Sequence, residues 1–143
     1  MPGQVQYRIL QEIPVTLVYV NGMASMETPK NFLNEICADP DFNTETDIIF
    51  DFTTGTIPFD QNQLAEVSNL FISRSNYHGK RSEVFIVNTA QELANLSIFS
   101  IQMRETPMEF NVVSSLREAK EFIGIKPRDY KMVQKAMQSL KKD

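Results

Sequence analysis

The sequence predicts an α/β fold: a mixed, mostly parallel sheet of about five strands with four flanking helices and a further C-terminal helix. Three observations carry this reading. Short runs rich in β-branched and aromatic residues (15–20, 48–52, 84–87) alternate with stretches whose apolar residues recur at helical spacing. Helix-start signals, a short polar residue followed three positions later by Glu or Gln, stand at Asp60-x-x-Gln63, Thr89-x-x-Glu92 and Ser115-x-x-Glu118. And 143 residues with 42% hydrophobic and 22% charged content are those of one ordinary globular domain. Such a chain buries about two thirds of its unfolded surface, so it needs no staples.

The elements follow in order. Residues 7–11 are the first strand and 15–20 the second, separated by Ile13-Pro14. Asn21-Gly22 reads as the turn that closes the second strand. A helix begins near Ser25 or Thr28, with Pro29 suited to its first turn and Phe32, Leu33, Ile36 and Cys37 on one face. Asp39-Pro40 stops it. Residues 48–52 are almost continuously apolar, as a strand covered on both faces requires. Residues 53–56 read as a loop, and a helix from the Asp60 cap runs to about Tyr77, with Gly79 as its C-cap. A fourth strand spans 84–87. The Thr89 cap opens a helix to about Arg104, Pro107 breaks it, and a fifth strand spans 108–113. The Ser115 cap opens a helix that ends before Gly124.

Charge divides the chain. From Lys126 onward there are six basic and two acidic residues, a net +4, against −8 over the preceding 125 residues and −4 for the whole. Gly124 and Pro127 mark the junction, so residues 1–125 read as the domain and 126–143 as an appended basic amphipathic helix. The acidic total argues against a nucleic-acid partner. One Cys and one His leave no zinc cluster and no internal disulfide. No cofactor and no metal are expected. The longest apolar runs fall far short of the roughly 18 residues of a membrane span, and no secretory signal is visible, so the cytoplasm is the expected compartment. Asn95-Leu96-Ser97 matches a glycosylation sequon, which that compartment makes a chance match.

Few residues point to chemistry. Asp51 closes the predicted central strand, and ligands of open α/β sheets bind at carboxyl strand ends. With Thr53, Thr54, Asp60 and Asn62 it forms a candidate polar loop site, although Asp60 is equally explained as a helix cap. His78 follows a helix end, where the dipole favours it, and no nucleophile or orienting partner can be named beside it. Cys37 sits on an apolar helix face, the place of a small buried hydrophobe. On the helix from Thr89, Leu93, Leu96, Phe99, Ser100 and Met103 share one side, leaving Ala94, Ile98 and Ile101 outside it. Those three are a candidate interface: another subunit, or the mouth of an apolar pocket. In the tail, Tyr130, Val133, Met137 and Leu140 form a seam that can dock on the domain, on another chain or on an acidic membrane surface.

The order strand, strand, helix and then alternating strands and helices resembles the STAS fold, and more specifically the SpoIIAA-like family of small bacterial domains, a fold shared with CRAL-TRIO lipid-binding proteins. The resemblance spans roughly residues 7–125. It rests on Thr16-Leu17-Val18-Tyr19-Val20-Asn21-Gly22, on Asp47-Ile48-Ile49-Phe50-Asp51-Phe52, on Val84-Phe85-Ile86-Val87 and on the closing stretch from Met108 to Ile125. It implies a regulatory or interaction module that docks on another protein or on a second copy as a homodimer, with a lipid or other small apolar ligand as the alternative. Regulatory members carry a phosphoacceptor serine after an Asp at the start of the helix following the central strand. The matching stretch here, Asp60-Gln61-Asn62-Gln63, has no hydroxyl, so a phosphorylation switch of that kind is not expected. The function read from the sequence is therefore docking without bond chemistry.

Overall fold

A computed structural model describes residues 2–142. Five strands form one sheet in the order β1-β2-β3-β4-β5: β1 (Gln4–Ile9), β2 (Val15–Met23), β3 (Asp47–Thr56), β4 (Ser82–Ile86) and β5 (Glu109–Val113). β1 runs antiparallel to β2, and every other neighbouring pair is parallel. Five helices accompany them: α1 (Glu27–Ala38), α2 (Gln61–Ser73), α3 (Ala90–Gln102), α4 (Leu116–Ile123) and α5 (Pro127–Lys142). The mixed, mostly parallel five-stranded sheet read from the sequence is the one found.

The three crossovers β2-α1-β3, β3-α2-β4 and β4-α3-β5 all step the same way along the sheet. Because such connections share one hand, they place α1, α2 and α3 on one face. Strand side chains alternate between faces, so Ile48 and Phe50 point to that first face while Ile49 and Asp51 point to the second. The first core joins Phe32, Leu33 and Ile36 of α1, Leu64, Val67 and Phe71 of α2, and Leu96, Phe99 and Met103 of α3 to Val18, Val20, Phe50 and Phe85 of the sheet. The second core sets Leu17, Ile49, Val84 and Ile86 against Ala119 of α4 and Val133, Ala136, Met137 and Leu140 of α5.

That second core decides among the dockings open to the tail seam, in favour of the chain's own domain. Val133, Met137 and Leu140 do not face a partner: they are buried against the chain's own sheet. A seam with spacings of three and four serves an internal sheet face as well as another chain, so spacing alone did not distinguish them. Tyr130 is half-buried, with the Lys120 ammonium 4.8 Å from its ring centre.

Four boundaries also shift. Asn21-Gly22 is not a turn. β2 runs through it to Met23, paired with β3 at Asn21↔Thr54, Gly22↔Gly55 and Met23↔Thr56, after a register irregularity between Tyr19 and Asn21. Gly22 takes φ 83, which only glycine accepts without strain. The same pairing converts the expected 53–56 loop into the end of β3, where β-branched threonines are at home. α2 stops at Ser73 and a 3-10 turn (Ser75–Tyr77) drives Tyr77 fully into the core. Gly79 therefore caps no helix. It lies against Thr44, whose carbonyl oxygen a Cβ would meet at 1.9 Å. β1 begins earlier than expected, at Gln4, because pairing with β2 extends the strand through Gln4 and Gln6.

Candidate functional site

A cavity of about 100 Å³ lies within the first layer, between the sheet and α1, α2 and α3. Seven of its eighteen lining residues are phenylalanines. Phe50 stands 5.1 Å from Phe85 and 5.7 Å from Phe32, and Phe99 stands 6.1 Å from Phe85, centre to centre. Most of these contacts are edge-on or tilted, as aromatic quadrupoles prefer. The mouth is marked by lining residues that remain half-buried: Thr28 and Pro29 at the start of α1, Phe52 on β3, and Phe59 before α2.

The segment across the mouth is tied down by α3. Glu92, buried, accepts from the backbone N–H of Ile57 at 3.2 Å and from the Thr89 hydroxyl. Asn95 and Gln91 donate to the Ile57 carbonyl oxygen at 2.8 and 3.2 Å. The sequence signalled Thr89-x-x-Glu92 as a reciprocal cap. Only half of it forms: the Thr89 hydroxyl accepts from the Glu92 N–H, while the Glu92 carboxylate reaches across to residue 57. Asn95, the sequon asparagine, is engaged in the same bracket. Nothing in the local spacing marks Ile57 as its partner, which is why the sequence reading missed this role.

The expected polar site does not assemble. Asp51 is buried on the second face, under α5. Its carboxylate accepts from Thr53 N–H at 2.9 Å and Thr53 Oγ1 at 2.6 Å, and pairs with Lys141 Nζ at 2.7 Å. Thr54 Oγ1 lies 2.6 Å from the Tyr19 hydroxyl. Asp60 and Asn62 belong to the start of α2, on the opposite face. Asp60 caps that helix, accepting from Gln63 N–H at 2.8 Å while Gln63 Oε1 accepts from Asp60 N–H at 3.0 Å. The strand order explains the failure. It runs 1-2-3-4-5 without reversing, so the sheet has no switch point where connections diverge and open a crevice at the strand ends.

The other reactive side chains are also occupied. His78 Nε2 donates to the Phe71 carbonyl oxygen at 2.9 Å. Burial pushes the Cys37 thiol up, away from thiolate. Arg81 and Glu83 form a buried ion pair, with Nη2–Oε2 at 2.6 Å and Nε–Oε2 at 3.1 Å. Arg81 Nη1 donates to the Thr44 and Tyr77 carbonyl oxygens, each at 2.8 Å, and its guanidinium stacks 4.4 Å from the Tyr77 ring centre. Burial pushes the Glu83 carboxyl up against the opposing pull of Arg81. Glu83 also lines the deep side of the cavity, so the charge there is already paired. The sequence reading missed this pair, though Arg81, one residue before β4, stands two positions from Glu83 within it, the spacing of one strand face.

On α3 the candidate interface divides. Ala94 is exposed and Ile101 is 60% exposed, whereas Ile98 is half-buried against the first core. Leu93, expected to face the sheet, is 48% exposed. The buried residues Leu96, Phe99 and Met103 set the inward direction, and at 100° per residue Leu93 falls about 90° away from it. Among the described residues no group of three His, Cys, Asp or Glu is placed to hold a metal ion. No helix among them is long and apolar enough to cross a membrane.

No family model matches the chain, and no curated protein matches it by sequence. Among solved structures it is similar to the crystal structure of an uncharacterized protein from the DUF3478 family with a SpoIIAA-like fold, from Shewanella loihica PV-4. The identity is 16%, the TM-score 0.55, and the match covers 85% of this chain and 94% of that one. The fold is SpoIIAA-like, as the sequence pattern suggested.

Proposed function

We propose that this chain is a non-enzymatic binding module that takes a small apolar group into the cavity between the sheet and α1–α3. The observation that carries the reading is the cavity itself: open at one side, walled by aromatic rings, with its single ionisable lining residue already paired to Arg81. An engineered protein cavity of about 150 Å³ lined by Leu, Ile and Phe stays dry and binds benzene. At about 100 Å³ this one takes a group of similar or smaller size. Asp51, His78 and Arg81 are each held by partners within the fold, which supports binding over bond chemistry. Benzene titration followed by thermal unfolding tests the reading. Benzene at ten times its Kd is expected to add about 1.4 kcal/mol, and Ala24→Leu, which fills the cavity from its wall, is expected to abolish that gain. No stabilisation of the unaltered protein by benzene overturns the reading.

A second reading has its own observation. Leu93, Ala94 and Ile101 leave an exposed apolar strip on α3, which favours docking of a second copy. Ile101→Asp is then expected to turn a dimer into a folded monomer on a sizing column. An unchanged elution volume speaks against this reading.

A further inference from the structure

The one charged residue in the cavity wall has an oxygen to spare. Glu83 lines the cavity at 2% exposure, and both hydrogen bonds from Arg81 fall on its Oε2. Among the described residues no hydrogen bond reaches Oε1. Buried polar atoms ordinarily have a partner. Close by stands a donor with nothing to receive its proton. Two buried hydroxyls, those of Thr16 and Tyr77, lack a partner among the described residues. Thr16 pairs with Ile48, which keeps β3 between it and Glu83. The Tyr77 hydroxyl instead lies near enough to Glu83 and Arg81 for both to act on it. Its ring backs the cavity wall, 5.4 Å from Phe71 and 6.3 Å from Phe32, centre to centre. Burial holds the hydroxyl well above its usual pKa, so it keeps its proton and remains a donor.

We infer that the apolar group taken into the cavity carries one neutral hydroxyl at its buried end, which donates to Glu83 Oε1 and accepts from the Tyr77 hydroxyl. The inference rests on the apolar-group reading above and adds the polar point that the ligand presents. A hydroxyl donates and accepts at a single atom, which is what a spare acceptor and a spare donor side by side require. A ketone or an ether has no proton for Oε1. A carboxylate or phosphate would bring negative charge against Glu83. An ammonium would be a second buried cation at a carboxylate that Arg81 already neutralises. A plain hydrocarbon leaves both protein groups unsatisfied.

Benzene, cyclopentanol and cyclopentanone have the same number of non-hydrogen atoms and differ in the polar group. Their affinities for the full chain are read from amide chemical shifts in NMR titrations. Cyclopentanol is expected to bind about tenfold tighter than cyclopentanone. Tyr77→Phe removes a hydroxyl that has no partner to lose, so the fold is kept. It is expected to weaken cyclopentanol about threefold and leave benzene unchanged. In Arg81→Leu/Glu83→Leu the alcohol is expected to lose its advantage over the ketone. Ala24→Leu is expected to weaken all three together, and Val67→Met serves as the cavity-filling variant should Ala24→Leu not fold. An alcohol no tighter than the ketone, an advantage that survives loss of the Glu83 carboxylate, or a Tyr77→Phe effect as large on benzene as on the alcohol overturns the hydroxyl inference and leaves the cavity reading standing. Failure of all three to bind, or binding indifferent to both cavity-filling variants, overturns the cavity reading and the inference with it.

Discussion

Replacing Arg81 with alanine is expected to cost about 3–5 kcal/mol of folding stability. The substitution removes both hydrogen bonds to Glu83, leaves the Thr44 and Tyr77 carbonyl oxygens without their donor, and unstacks the guanidinium from Tyr77. Above all it leaves a carboxylate at 2% exposure with no counter-charge. Denaturant unfolding of the single variant measures the loss, and Arg81→Leu/Glu83→Leu is expected to recover most of it, because an apolar pair needs no desolvation of charge. The pH dependence has a definite sign. Burial holds the Glu83 carboxyl above its usual range, and without Arg81 it rises further. The folded state then binds the proton more readily than the unfolded chain. Stability of the variant is greatest below the ordinary glutamate pKa of about 4.3 and is lost as pH rises from there through the raised folded value. A variant whose loss is under 1 kcal/mol, with no such pH trend, would mean that water reaches Glu83.

A chain ended after Ile125 is expected not to fold cooperatively. Removing α5 uncovers the second face of the sheet, where Leu17 and Ile49 are fully buried, and removes Val133, Met137 and Leu140 from the core. Burying three such side chains contributes on the order of 5–8 kcal/mol, which is comparable to the whole stability of a typical domain. The Lys141–Asp51 pair goes with them, leaving another buried carboxylate without its cation. Circular dichroism and thermal unfolding of residues 1–125 check this. A sharp transition at the temperature of the full chain would make α5 an appendage, as its basic charge and the Gly124–Pro127 junction first suggested.

What the sequence made legible was whatever depends on nearby residues. The Asp60 cap formed as read, because both of its hydrogen bonds lie within three residues. The apolar run at 48–52 announced a strand covered on both faces, and β3 is that strand. What escaped depends on distant partners. Asn21-Gly22 is a strong turn pair, yet 33 positions later in the chain Thr54 and Gly55 offer a parallel ladder that holds it extended. Asp51 looked like a site because its strand end is where ligands bind in sheets that reverse their order, and this sheet does not reverse. The cavity left no local mark, since phenylalanines at helix and strand spacings describe a filled core equally well. Glu92 was readable as a cap and not as the bracket that holds residue 57.

The last helix covers the first strands. α5 rests on β1 and β2, so contacts between residues more than a hundred positions apart complete the second core. During synthesis the first layer can close as α1, α2 and α3 emerge in turn. The second face of the sheet waits, with its valines, leucines and isoleucines open to water, until residues 127–142 have left the ribosome. Contacts of such separation are slow to form, because the loop entropy is spent before they return anything. For that interval the nascent chain carries a broad apolar surface and is at its most prone to aggregate or to engage a chaperone.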